Sequence, residues 1–377
     1  MKRAAVAIIA AMIAVAFSAP ARAQLCDSTA RFSRPIPLGI TGSNIKFDYV
    51  QIKRKHIPIC YAGTLGSLVE DSNSNDYILS NNHVIAGENK DPVPSKIIQP
   101  GLLDGGCRHD HANAVAKLSN FVKLNFSPSG ENTVDAAIAE VIPGTVMPGG
   151  PILNIGVPAG GTGVAPVLGM AVEKMGRTSC LTAGTVTSTG VNVQIDYSES
   201  PQPAGTKLAN FVNQIMVSPS GSSTAFGAPG DSGSLVVTQA SCPQPVALLF
   251  AGDTATGVAI VSPIASVLAD LNGRKTPNLG FPGGACTPDT ADPASASPLG
   301  IPAAAVSSAA AIRDRHSADL MKIPGAIGTG IGIGDAPGTA DIEVYLKQYT
   351  PQAQAAAPGT VEGVQVKLLE TGPIVAL

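Results

Sequence analysis

The chain has 377 residues, more than one ordinary domain needs and enough for two or three. Charged residues make up 14% and hydrophobic ones 44%, which excludes a disordered or nucleic-acid-coating chain. The formal charge of −3 gives no reason to expect a polyanionic partner. Aromatics are 4% and Trp is absent, whereas Gly numbers 41 and Pro 31, a mixture that suits many short strands joined by turns.

Lys2 and Arg3 precede a nearly all-apolar stretch, 4–19, and Ala21-Arg22-Ala23 has the small-x-small form of a cleavage site. Residues 1–23 therefore read as a secretory signal peptide. The apolar run is short for a membrane span and is broken by Ser18 and Pro20. Leu25 stands before Cys26, where lipid attachment would want a small residue. Removing 1–23 takes away Lys2, Arg3 and Arg22 and brings the charge to about −6. No later stretch is long and apolar enough to span a bilayer, so the expectation is an exported protein, secreted or periplasmic, without a membrane span.

Six cysteines follow the signal segment: Cys26, Cys60, Cys107, Cys180, Cys242 and Cys286. An even count in an exported chain favours disulfides, and fifteen pairings are open. Proximity in a β-rich chain makes Cys60–Cys107 and Cys180–Cys242 the first guesses, with Cys26–Cys286 by elimination.

Residues 24–50 lack clear periodicity and read as an extended arm. Strand-compatible runs then follow at 61–70, 77–81, 96–99, 115–126 and 136–142, separated by Asp, Asn, Gly and Pro. After the Gly/Pro-rich passage 143–166 they resume at 167–174, 183–197, 211–217, 234–238, 246–251 and 257–262. Residues 264–271 carry apolar side chains at helical spacing. Two successive sets of about six strands predict two antiparallel barrels or sandwiches, residues 51–150 and 151–275. Residues 276–302 read as a linker, and 303–377 as a small α+β domain with a helix over 303–321. Its Gly328-Thr329-Gly330-Ile331-Gly332-Ile333-Gly334 run does not match a dinucleotide fingerprint and reads better as an alternating Gly/Ile strand.

The strongest local signal is Phe226-Gly227-Ala228-Pro229-Gly230-Asp231-Ser232-Gly233-Ser234. A serine hydroxyl is a weak nucleophile at neutral pH and needs a base, an orienting group for that base, and donors for the oxyanion. His83 ends a strand-like run in Ser80-Asn81-Asn82-His83-Val84, and Asp135 leads the apolar run Ala136-Ala137-Ile138.

Taken in the order His83, Asp135, Ser232, with separations of 52 and 97 residues, the chain resembles the trypsin-like serine proteases of the chymotrypsin fold over roughly residues 51–275. The resemblance implies a mainly β fold: two antiparallel six-stranded β-barrels, followed here by the small α+β domain. It implies Ser232 as nucleophile, His83 as base, Asp135 as its orienter, and the Gly230 and Ser232 N–H groups as oxyanion hole. Asp231 has no catalytic role in this scheme. In zymogen-type relatives a new N-terminus pairs with that aspartate, but no matching activation sequence is present, so Asp231 needs another donor. Val84 replaces the cysteine many relatives carry beside the histidine. Phe250 replaces a serine that bonds the catalytic aspartate, so Asp135 needs other partners. Phe226 stands where trypsin-type members have a pocket aspartate, so cleavage after Arg or Lys is not expected. An apolar or small pocket formed by Phe226, Phe250, Ala251, Gly252 and Thr254 is expected instead.

Other signals read as structural. Cys107-Arg108-His109-Asp110-His111 is denser in metal ligands than any other run, but no second cluster completes a site. His56 lies in a short basic run, Lys53 to His56, that reads as a solvated face, and His316 reads as exposed on the C-terminal helix. Asp104 and Asp110 are alternative triad acids but lie in Gly/His-rich loop sequence. The reading is an exported serine endopeptidase acting on peptide or protein substrates through an acyl-enzyme. It implies no metal, organic cofactor or nucleic-acid partner. Two alternatives stand beside it: a weak or inactive binding protein on the same fold, and an esterase using the same triad.

Overall fold

The computed structural model describes residues 27–52, 55–198, 202–273, 276–285 and 297–377. The signal-peptide reading, Cys26, Cys286 and the middle of the linker lie outside the described residues, as do the side chains of the Lys53 to His56 run.

The first barrel is built from β1 (Ile40–Asn44), β2 (Gly63–Leu65), β3 (Ser67–Glu70), β4 (Asp76–Ser80), β5 (Lys96–Ile98), β6 (Ala114–Phe121) and β7 (Ala137–Val141). They pair in the order β2-β1-β5-β6-β7-β4-β3. The two ends of that path, β2 and β3, are halves of one run interrupted at Gly66, so the sheet curls back on itself as a barrel with six effective strands. Alternating apolar positions such as Leu68, Ile78, Ile97, Val115 and Ile138 fill the interior.

The second barrel uses β8 (Ala171–Gly176), β9 (Cys180–Asp196), β10 (Leu208–Pro219), β11 (Leu235–Thr238), β12 (Pro245–Gly252) and β13 (Ala259–Pro263). Pairing runs β9-β8-β11-β12-β13-β10 and returns to β9, which closes a six-stranded ring. Helix α1 (Ile264–Leu271) follows and buries Ile264, Val267, Leu268 and Leu271, one face at helical spacing.

Three expectations change. The arm 24–50 contains β1, wholly buried between β2 and β5. Its sequence Ile-Thr-Gly-Ser-Asn has a single aliphatic residue, so no alternation signals it. The linker reading also shortens. Glu70 N–H donates to the Gly280 carbonyl at 2.8 Å, and Leu279 and Phe281 are buried in the first core. The third change concerns the C-terminal α+β unit, whose sheet is continuous with the second barrel. It comprises α2 (Ala303–Leu320), β14 (Ala326–Ile333), β15 (Ala340–Leu346), β16 (Val364–Glu370) and β17 (Val375–Ala376). β14 pairs with the outer edge of the 17-residue β9, with Ser188 opposite Gly332 and Val193 opposite Gly328.

The Gly/Ile run is a strand, and its glycines serve packing. A Cβ on Gly330 would overlap the Tyr345 hydroxyl, and one on Gly332 the Glu343 carboxylate. Those two side chains instead reach Ser188 of β9: Ser188 Oγ donates to Glu343 Oε2 at 2.6 Å and Tyr345 OH donates to the same oxygen at 2.9 Å. Arg313 of α2 donates to the Gly190 carbonyl, a second tie to β9. Among the described residues, no helix is long and apolar enough to cross a membrane.

Candidate active site

His83 and Asp135 meet because β4 and β7 are antiparallel neighbours with Ala137 opposite Ser80. Carried two residues further, that register brings Asp135 opposite Asn82. After Ser80 the chain turns into a short helical segment, Asn82–Ile85, which carries His83. Asn82 N–H and His83 N–H donate to Asp135 Oδ1 at 2.7 and 3.3 Å, and Asn81 Nδ2 donates to the Asp135 carbonyl at 2.6 Å. His83 Nδ1 lies 2.6 Å from Asp135 Oδ2. The carboxylate is fully buried, whereas the imidazole keeps 13% of its side-chain exposure.

Asp135 has a further partner that sequence reasoning missed. Tyr197, one residue past β9, donates its hydroxyl to Asp135 Oδ2 at 2.8 Å. This donor gives the buried Asp135 carboxylate the further partner its burial requires. Tyr197 is held by rings on either side: edge-on to Phe126 at 5.4 Å and stacked with Phe211 at 6.2 Å. A tyrosine at the end of a strand has no local signature of such a role. Burial and the nearby carboxylate push its hydroxyl well above the usual phenol range, so it stays a neutral donor. For His83, burial opposes the charged form, but the Asp135 charge and hydrogen bond outweigh it and raise the imidazole above 6.5.

Ser232 is carried by the loop before β11, between two glycines at φ +100 (Gly230) and +94 (Gly233). The loop seats against the first barrel. Thr64 N–H donates to the Ser232 carbonyl at 2.8 Å, and a Cβ on either Gly66 or Gly233 would strike the opposing backbone. Ser232 Oγ donates to the Phe250 carbonyl at 3.0 Å. Among the described residues, neither the Gly230 nor the Ser232 N–H donates to a protein acceptor.

Asp231 finds its donor in Lys174, a residue that carries no motif. Lys174 Nζ lies 3.0 Å from Asp231 Oδ2, and both side chains are fully buried. Thr178 N–H at 2.7 Å, Ala228 N–H at 2.9 Å and Ser179, through its N–H and its hydroxyl, complete the brace.

The expected pocket residues separate. Phe226 is buried in a cluster with Val217, Leu249 and Leu377, and Ala251 and Gly252 form the adjoining strand edge. The Phe250 ring instead packs on Phe211 at 4.6 Å, in a different cluster, and only its carbonyl faces Ser232. Thr254 is exposed in a turn capped by Asp253 and does not join that cluster. Strand alternation turns Leu249 and Phe250 to opposite sides, and beyond the register shift between Leu249 and Ala251 the Ala251 side chain joins the Phe250 cluster.

The alternative acids are engaged elsewhere. Asp104 accepts from Arg177 at 2.6 and 2.7 Å, and Asp110 caps Ala112 at 3.0 Å. His109 packs edge-on against Phe47 at 4.1 Å, and Cys107 is in a disulfide with Cys60, as expected. Cys180 and Cys242 are each disulfide-bonded too. His316 pairs with Glu362 at 2.8 Å on an exposed face.

No family model and no curated protein matches the chain. Solved structures similar to it are a glutamic acid-specific serine protease (18% identity, TM-score 0.39, 62% of this chain and 96% of that one), Thermobifida fusca protease A (16%, 0.34, 55% and 88%) and Nocardiopsis protease (14%, 0.36, 58% and 92%).

Proposed function

We propose that the protein is an exported serine endopeptidase. One observation carries this reading: the His83 imidazole is held 2.6 Å from the buried Asp135 carboxylate, and its other nitrogen faces Leu377, whose N–H shares the Phe250 carbonyl with Ser232 Oγ. Ser232 Oγ leaves the Phe250 carbonyl, attacks the substrate carbonyl and passes its proton to His83 Nε2. Asp135 holds the imidazole and offsets its positive charge, while Tyr197 and two backbone N–H groups fix Asp135. The Gly230 and Ser232 N–H groups receive the oxyanion. His83 returns the proton to the leaving amine, and water then releases the acyl-enzyme by the same steps in reverse. The disulfide Cys60–Cys107 suits an oxidising compartment.

An apolar Phe226 at the pocket position gives an Arg or Lys side chain no counter-charge. A panel of peptide amides tests both parts. Hydrolysis is expected after apolar residues and falls to background in Ser232→Ala. Activity that survives Ser232→Ala overturns the mechanism. Hydrolysis of esters but of no amide moves the protein to the esterases, and a clear preference for Arg or Lys overturns the pocket reading.

A further inference from the structure

The cleft around His83 and Ser232 is filled by the chain itself. After β16, Thr371 N–H anchors to the Leu346 carbonyl at 3.0 Å, and the chain turns at Gly372 (φ +66) into the cleft. Segment 374–377 then slots between two strands. Asp196 of β9 donates its N–H to the Ile374 carbonyl at 2.9 Å and pairs in parallel with Val375. On the other side β12 pairs antiparallel, with Ala251 opposite Ala376 and Gly252 opposite Val375.

Leu377 lies at the chemistry. Its N–H donates to the Phe250 carbonyl at 3.2 Å, the same carbonyl that holds Ser232 Oγ at 3.0 Å. Its own carbonyl oxygen lies 3.4 Å from His83 Nε2. Its side chain is 8% exposed and enters the cluster of Phe226, Val217 and Leu249. Gly227 and Gly252 wall that space. A Cβ on either would lie 3.0 or 3.1 Å from Leu377 Cδ1. A bound substrate peptide needs this arrangement: an extended main chain on a free strand edge, one side chain in a pocket, and its carbonyl beside the base.

We infer that segment 374–377 is an intramolecular ligand of the candidate active site, bound as the acyl half of a substrate. It restrains the enzyme, and it identifies the preferred residue before the scissile bond as Leu-sized and aliphatic. The inference rests on the proposed peptidase reading. Its logic is competitive. A tethered ligand lowers the fraction of cleft open to substrate, and weakening the tethered ligand raises that fraction. The same segment pairs with β9, and β9 carries the C-terminal sheet on its outer edge. The α+β unit therefore delivers the occupant to the cleft.

The test uses full-length protein and acetyl-Ile-Val-Ala-Leu p-nitroanilide, with siblings ending in Phe, Glu or Arg. Leu377→Glu places a charge in an apolar pocket and is expected to raise kcat/KM about tenfold or more over wild type, from the loss of one buried Leu. Leu377→Ala is expected to raise it by less. The Leu substrate should exceed the Arg and Glu siblings at least about tenfold, the scale of one buried aliphatic side chain. Free acetyl-Ile-Val-Ala-Leu should raise KM of the Leu377→Glu variant and leave kcat unchanged. Thermal unfolding verifies the fold, and Leu377→Ala decides if Leu377→Glu unfolds. Equal Ser232-dependent kcat/KM in wild type and the folded variants overturns the inference and leaves the peptidase reading standing. Preference for the Glu or Arg sibling overturns the specificity. Folded variants that neither hydrolyse any substrate nor take a fluorophosphonate overturn the peptidase reading and the inference with it.

Discussion

Two buried aspartates, Asp135 and Asp231, differ in what they are paired with. Each carboxylate accepts backbone N–H groups: Asn82 and His83 for Asp135, Thr178, Ser179 and Ala228 for Asp231. Each also takes a side-chain hydroxyl, Tyr197 in one case and Ser179 in the other. The cation differs. Asp135 faces an imidazole whose pKa it raises above 6.5 and whose side chain keeps 13% exposure, whereas Asp231 faces a lysine with no exposure at all. Burial pushes the Lys174 ammonium below 10.5 although Asp231 pulls the other way. In the proposed mechanism one carboxylate thus serves proton transfer beside a partly exposed histidine and the other serves bracing beside a sealed lysine. The partner and its access to solvent set the role.

The largest expected effect breaks the first of the two. Asp135→Asn should lower kcat about ten-thousand-fold, the loss that follows when an imidazole loses its orienting carboxylate. A loss under tenfold, read from amide hydrolysis, would remove Asp135 from the mechanism. Next comes the brace. Lys174→Met leaves Asp231 as an uncompensated buried charge and should cost about 3–5 kcal/mol of stability by denaturant unfolding. A change below about 1 kcal/mol, the range of an exposed ion pair, would make the pair ornamental.

Smaller effects sharpen the contrast. Tyr197→Phe should cost about 1.5–3 kcal/mol, the worth of a hydrogen bond to a charged group. It should also move the acidic limb of kcat/KM upward in pH, because Asp135 then directs its undivided charge at His83. In the wild type that limb should lie above 6.5, since the base must be neutral and its folded pKa is raised. The same shift stabilises the fold at low pH: the contribution is complete below 6.5 and is lost as pH rises through the folded-state value. A limb below 6.5 would contradict the Asp135 pairing.

The residues proposed to carry the chemistry each have a local signature: a Gly-flanked serine, a histidine ending a strand, an aspartate heading one; of these, the structure pairs His83 with Asp135. Both barrels were legible from the spacing of short apolar runs. Strand β1 was not, because its polar residues are buried by hydrogen bonds, with Thr41 and Ser43 at 0% exposure, and not by apolarity. Tyr197 and Lys174 were illegible for a related reason. Their partners lie 62 and 57 residues away, and only the folded registers bring them together. The need for both was nevertheless readable, since Phe250 left Asp135 short of a donor and no activation sequence was present to serve Asp231. The position of Leu377 had no sequence signal at all. It depends on β9 being long enough to touch the C-terminal unit at one place and the cleft at another.

The proposed mechanism makes Ser232 a nucleophile activated by His83. It is tested most directly by treating the full-length Leu377→Ala variant with a fluorophosphonate and mapping the adduct by peptide mass spectrometry. One adduct is expected, on Ser232, and it should be absent when Ser232→Ala or Asp135→Asn is introduced into the same background. Folded protein that takes no label, or a label that persists in Ser232→Ala, would contradict it.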